Sequence, residues 1–163
     1  MANVNKNAWY RACWGASDLI GAATVTLVKN EWKEIGSVTV PADQLIGLGY
    51  GSQAGQDDAV GRIFVDLVDN TSTPVDIEGL FRIMITSSND LPLGARPVLI
   101  EYDLATLRLG ETDRAGRLPL PFTGIMLSKD KKFKFLVKNT ASSAQTLELA
   151  DSTAEVDITK QMV

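Results

Sequence analysis

The 163-residue sequence contains no histidine. That absence removes the commonest general base, the commonest metal ligand and both the Ser–His and Cys–His nucleophile pairs, and with them most hydrolase mechanisms. Cysteine is almost missing as well: Cys13 stands alone, which excludes an intramolecular disulfide and a cysteine-based zinc site and leaves open only a disulfide between subunits. Long hydrophobic runs are lacking. The uncharged stretches 19–28 and 44–56 are too short or too rich in glycine to span a bilayer, and MANVNKNAWYRACWGASDL at the amino terminus has no apolar segment of signal-peptide length. The expectation is a chain that is neither targeted nor transmembrane. Basic residues are outnumbered, 16 to 20, and the net charge of -4 argues against a general phosphate-neutralising surface.

What is present is ordinary globular material, 45% apolar and 22% charged, enough for one domain with a substantial core. From Leu19 onward the dominant signal is period two, broken at intervals by Gly, Pro, Asn, Asp and Ser. Residues 24–28 and 31–40, separated by Lys29-Asn30, read as a hairpin ending at Pro41. Further strands are expected over 62–68, 79–86, 97–109, 132–138, 147–149 and 154–158. In KDKKFKFLVK at 129–138 the alternation sends Phe133, Phe135 and Val137 inward and Lys132, Lys134 and Lys138 toward water, with the lysines guarding an edge. No sustained helical stripe follows residue 19, so crossover helices are absent from the expectation and a parallel sheet is disfavoured. The fold class expected is all-β: an antiparallel β-sandwich of about eight strands.

Residues 1–17 form a separate N-terminal arm, with 18–163 as the single β-sandwich domain. Trp9 and Cys13 stand at i, i+4 beside Ala8, Ala12 and Ala16, a spacing that suits one or two turns of helix. Two readings stay open for this segment. It packs over an open end of the sandwich, or it inserts into a neighbouring subunit with Trp9, Tyr10 and Trp14 as anchors.

Each stretch that suggests chemistry has a plainer explanation. Gly49-Tyr50-Gly51-Ser52-Gln53-Ala54 matches the spacing of a dinucleotide-binding turn, and Asp69 lies at the ribose-binding distance, but the sequence after it runs into an alternating strand rather than a helix. Asp57 and Asp58 would repel a pyrophosphate and lack the third carboxylate of a calcium loop. No cofactor and no metal is expected. The segment reads instead as a long contact loop, with Tyr50, Asp57 and Asp58 as candidate subunit contacts. Glu101 and Asp103 share a strand face at about 7 Å, a spacing that falls between the retaining and inverting glycosidase ranges. The interleaved lysines and phenylalanines of 129–138 mimic a stacking platform for single strands, but a half-buried strand shows the same pattern. Asn70-Thr71-Ser72 fits a glycosylation acceptor and reads as turn chemistry.

The stretches VTVPADQLIGLGYG at 38–51, GRIFVDLVDN at 61–70 and ARPVLIEYDL at 95–104, set among short strands and one long glycine-rich loop, resemble the single jelly-roll structural proteins of icosahedral double-stranded DNA viruses. The resemblance implies a non-catalytic capsid subunit without cofactors that forms or stabilises a shell by side-by-side packing. Its implied partners are itself, as a homo-oligomer, and other capsid proteins, near an internal membrane and without direct nucleic-acid binding. The implied location is the virion, assembled in the host cytoplasm. Two alternatives stand beside it: a head-decoration or cement protein bound over another lattice, and a non-catalytic carbohydrate-binding module, which requires an exposed aromatic strip.

Overall fold

Period-two alternation becomes twelve strands and one short helix among residues 9–13, 24–48, 62–69, 75–108, 118–119 and 125–162, which the computed structural model describes. In chain order these are β1 (Trp9–Cys13), β2 (Thr24–Leu27), β3 (Trp32–Thr39), β4 (Gln44–Leu48), β5 (Arg62–Asp69), β6 (Val75–Asp76), β7 (Gly79–Ser87) and β8 (Val98–Asp103). The helix α1 (Leu104–Arg108) comes next, then β9 (Leu118–Pro119), β10 (Ile125–Leu127), β11 (Lys131–Asn139) and β12 (Gln145–Met162).

Two antiparallel sheets result, as expected of a sandwich. The smaller has four strands in the order β3-β11-β7-β8. The larger has eight and is organised along β12, which pairs with β2, β5, β1 and β4 in turn, while β9 and β6 add to β5 and β10 adds to β4. At about 3.3 Å per residue, β12 runs roughly 60 Å. Expected as two short strands, it is a single one because Ser152 repairs the ladder between them. The register on β5 jumps from Glu148 opposite Val68 to Thr153 opposite Asp66, and the Ser152 hydroxyl accepts from the Val68 N–H at 3.0 Å and donates to the Glu148 carbonyl at 2.5 Å.

The core forms where the inward faces meet. Phe81, Ile83, Phe133, Phe135 and Val137 from the small sheet lie fully buried against Leu27, Val65, Leu67 and Leu147 from the large one. The Phe81 and Phe135 rings stack with centroids 6.2 Å apart. The inward alternation expected at 132–138 is therefore realised. Its strand, however, lies inside the sheet between β3 and β7, so the lysines guard a face rather than an edge.

Three further expectations are corrected. Strands β2 and β3 do not form a hairpin: β2 pairs with β12 and β3 with β11, so the Lys29-Asn30 turn changes sheets. Asn30 takes a positive φ of 62° and its N–H donates to the Asn139 carbonyl at 2.8 Å, which draws the chain onto the other layer. The run 97–109 is a strand followed by helix α1. Asp103 accepts from the Ala105 N–H at 2.8 Å as an N-cap, and Leu104 and Leu107, three apart on one face, are fully buried. Finally, residues 9–13 are strand, not helix, with Trp9 opposite Gln161 and Cys13 opposite Asp157. Positions i and i+4 share a face in a strand as well as in a helix, so the spacing did not discriminate.

At one end of the sandwich the sheet changes are held by two buried amides. Asn139 Nδ2 donates to the carbonyls of Leu27 at 2.8 Å and Ser143 at 2.9 Å, and its Oδ1 accepts from the Ala141 N–H at 2.8 Å and from Gln145 Nε2 at 2.6 Å. Gln145 also pairs with Glu78 as a second strand would, Nε2 to the carbonyl and Oε1 from the N–H, both at 2.9 Å. Gly79, next in sequence, lies so close to β11 that an added methyl would collide with the Lys138 carbonyl. Replacing Asn139 with Ala strands the buried Leu27 carbonyl and the part-buried Ser143 carbonyl and Ala141 N–H and is expected to cost about 3 kcal/mol, because each unsatisfied buried group costs about 1–3 kcal/mol. Urea titration of Asn139→Ala, Gln145→Ala and the double variant checks this. The double variant should lose clearly less than the sum of the singles, since both remove one shared hydrogen bond.

Candidate functional site

The residues singled out from the sequence fall into three groups. Trp9 and Tyr10 lie on β1, whose described pairing is with β12, opposite Gln161 and Lys160. Trp14, Tyr50, Asp57 and Asp58 lie outside the described residues, as does the whole glycine-rich segment 49–61. Its two anchors are described: Leu48 pairs with Ile158 of β12 and Ile63 with Val156, so the segment joins strands on opposite sides of β12 at positions two residues apart along it. Asp69, the candidate ribose ligand, instead accepts from the Thr146 N–H at 3.3 Å and belongs to a strand end.

The members of the candidate carboxylate pair, both exposed on β8, are likewise engaged with structural partners. Glu101 stands directly opposite Arg82 in the β7–β8 ladder and accepts from its Nε at 3.0 Å and Nη2 at 2.7 Å. Asp103 caps α1. Each carboxylate has a structural partner of its own. Among the described residues, no group of three His, Cys, Asp or Glu is placed to hold a metal ion. Nor is any described helix long and apolar enough to cross a membrane.

The outer face of the small sheet carries the described charges in matched sets. Lys134 contacts Glu34 at 3.1 Å and Asp90 at 3.2 Å, and Lys132 pairs with Asp90 as well. The Arg82 guanidinium, already paired with Glu101, lies over the Trp32 ring at 3.9 Å, with Lys138 at 6.0 Å from the same ring. This arrangement removes the stacking-platform reading of 129–138: both phenylalanines are fully buried, and Lys132 and Lys134 are neutralised by carboxylates. Hydrogen bonds from Lys132 and Lys134 hold the Asp90 carboxyl below the ordinary aspartate value. For Lys134, burial pushes the pKa down, but its hydrogen bonds to Glu34 and Asp90 outweigh that and the net shift is upward. Sequence reading missed Asp90 because it sits in the breaker SSNDLPLG. Its positive φ of 66° is a conformation that Asp tolerates in turns, and that was the available signal.

The two ends of the sandwich differ. One has a hollow of about 210 Å³ walled by Asp76, Glu78, Asp103 and Thr140. The other has a cavity of about 350 Å³ between β4, β10 and the end of β7, with Leu45, Ile85, Leu93 and Leu127 in its wall.

The sequence matches no protein-family model and no curated protein. Solved structures do resemble it. VP17, a capsid protein of bacteriophage P23-77, superposes with a TM-score of 0.61 at 7% identity, covering 95% of this chain and 96% of that one. The VP16-VP17 complex, a complex of the two major capsid proteins of the same phage, gives 0.58 at 9% identity, covering 96% and 100%. At such identities the likeness is one of fold.

The charge network generates a pH prediction. The Asp90 value is depressed in the folded state, so its contribution is present above the ordinary 3.8 and is lost as pH falls through the folded value. The Lys134 value is raised, so its contribution is present below the ordinary 10.5 and is lost as pH rises through the folded value. Asp90→Asn should therefore flatten the acid limb of stability below about pH 4 and weaken the alkaline limb as well. Denaturant midpoints measured from acid to alkaline pH for both proteins check this, and parallel acid limbs would overturn it.

Proposed function

We propose that this chain is a non-catalytic structural subunit of a virion, packing side by side with copies of itself and with a second capsid protein. The observation that carries the reading is the likeness to VP17, which runs through nearly the whole of both chains rather than through one shared sheet. The complex of two major capsid proteins supports the second partner. Local chemistry points the same way, since the carboxylates that suggested catalysis serve strand pairing and helix capping.

In this role the contacts fall to the edge strand bearing Trp9 and Tyr10, to Trp14, and to Tyr50, Asp57 and Asp58 of the long loop. The carbohydrate-module alternative needs an exposed aromatic strip. Among the described residues, Phe81, Phe133 and Phe135 are buried and Trp32 is covered by Arg82. The charge reversal Asp57→Lys/Asp58→Lys is expected to cut incorporation into particles several-fold while leaving the thermal midpoint unchanged. Electron microscopy of particles from cells expressing the chain, with calorimetry of the purified variant, checks both halves. A chain that stays strictly monomeric at every concentration and never enters particles would remove the proposal.

A further inference from the structure

The apolar end of the sandwich holds a feature that the capsid reading does not explain. Leu91, two residues from Leu93 in the cavity wall, is 66% exposed, the most exposed large apolar side chain among the described residues. The turn that carries it is well braced. The Ser87 N–H donates to the Leu91 carbonyl at 2.8 Å, the Leu91 N–H donates to Ser87 Oγ at 3.2 Å, and the Leu93 N–H donates to the Ile85 carbonyl at 3.2 Å. The Asp90 side chain beside it is clamped by Lys132 and Lys134. A rigid apolar knob thus stands next to a largely apolar cavity of about 350 Å³ on the same end of the molecule.

We propose that Leu91 of one copy enters the cavity of a second copy and receives that copy's Leu91 in return, about a two-fold axis. Knob and hole side by side make the surface self-complementary, which is what an isologous contact requires. Charge is also suited to self-pairing. The chain as a whole carries -4 and its copies repel, but this end carries both signs: Lys131 lines the cavity and Lys129 and Arg96 are exposed next to its wall residues, while Asp43, Asp90 and Asp130 are exposed there as well. A two-fold rotation lets each sign meet the other. The patch is small beside the roughly 1,200 Å² or more of a stable interface, so the pairing is weak in isolation and gains strength only when a lattice repeats it. This deepens the assembly reading and rests on it for its purpose. The contact itself is tested on the purified chain.

Sedimentation equilibrium of the full chain should show a weak monomer–dimer equilibrium, and Leu91→Asp should shift its midpoint concentration upward at least tenfold without changing the thermal midpoint, because the side chain is already in water. Two proteins in a Cys13→Ser background, one carrying Leu91→Cys and the other Ser128→Cys, should form a mixed disulfide dimer on oxidation when combined. Ser128 belongs to the cavity wall. Unchanged association of Leu91→Asp, or no mixed dimer above the level given by a Val75→Cys control, overturns the proposal. So does saturable binding of a medium-chain fatty acid by a protein that remains monomeric, which would assign the cavity to an amphiphile. Particles that take up Leu91→Asp at the normal level would remove this contact from the lattice and leave the capsid reading standing, whereas failure of the unmodified chain to enter particles would strike that reading alone.

Discussion

The sandwich depends on the buried pairing of Asn139 with Gln145. The chain passes between sheets six times in the order of its described strands, and the two amides touch three of those places, the β2–β3 turn, the segment ahead of β7 and the β11–β12 connection, through Leu27, Glu78 and Ser143. Both Asn139 donors and both of its acceptor positions are used, which is the condition under which a buried polar group specifies a structure instead of weakening it. Apolar burial alone would hold the sheets together without choosing which strand crosses where.

Around that corner the remaining parts follow. Strand β12 supplies the spine along which four other strands take their register, and the Ser152 bulge keeps it continuous. The outer face of the small sheet holds the Lys132 and Lys134 ion pairs and the Arg82 guanidinium over the Trp32 ring. Elsewhere, β1 pairs with the far part of β12, and Leu91 stands exposed at the end of the sandwich away from Asn139.

Legibility varied with the range of the interaction concerned. Phe133, Phe135 and Val137 were readable because side-chain alternation is a local property of the strand. Helix α1 was hidden inside a long apolar run, although Asp103 followed by Leu104 and Leu107 is an N-cap with an i, i+3 pair. The Lys29-Asn30 turn was recognised as a turn and assigned the wrong partner, since a tight turn joins strands of one sheet or of two with the same residues. Trp9 and Tyr10 lie in a segment read as helix that is strand, and Leu91 was overlooked because a leucine between Asp90 and Pro92 looks like loop filler until its exposure is known.

The sequence by itself determined the class of molecule. Without histidine and with one cysteine it had no Ser–His or Cys–His pair and no cysteine-based zinc set, and its alternation committed it to antiparallel β-structure with a defined inward face. Only the tertiary structure decided which strands are neighbours, which carboxylates are engaged and where an apolar knob stands beside an apolar hole. The physical reason is separation along the chain: alternation is written over two residues, whereas Asn139 reaches Leu27 across 112 positions, and no local pattern records that meeting.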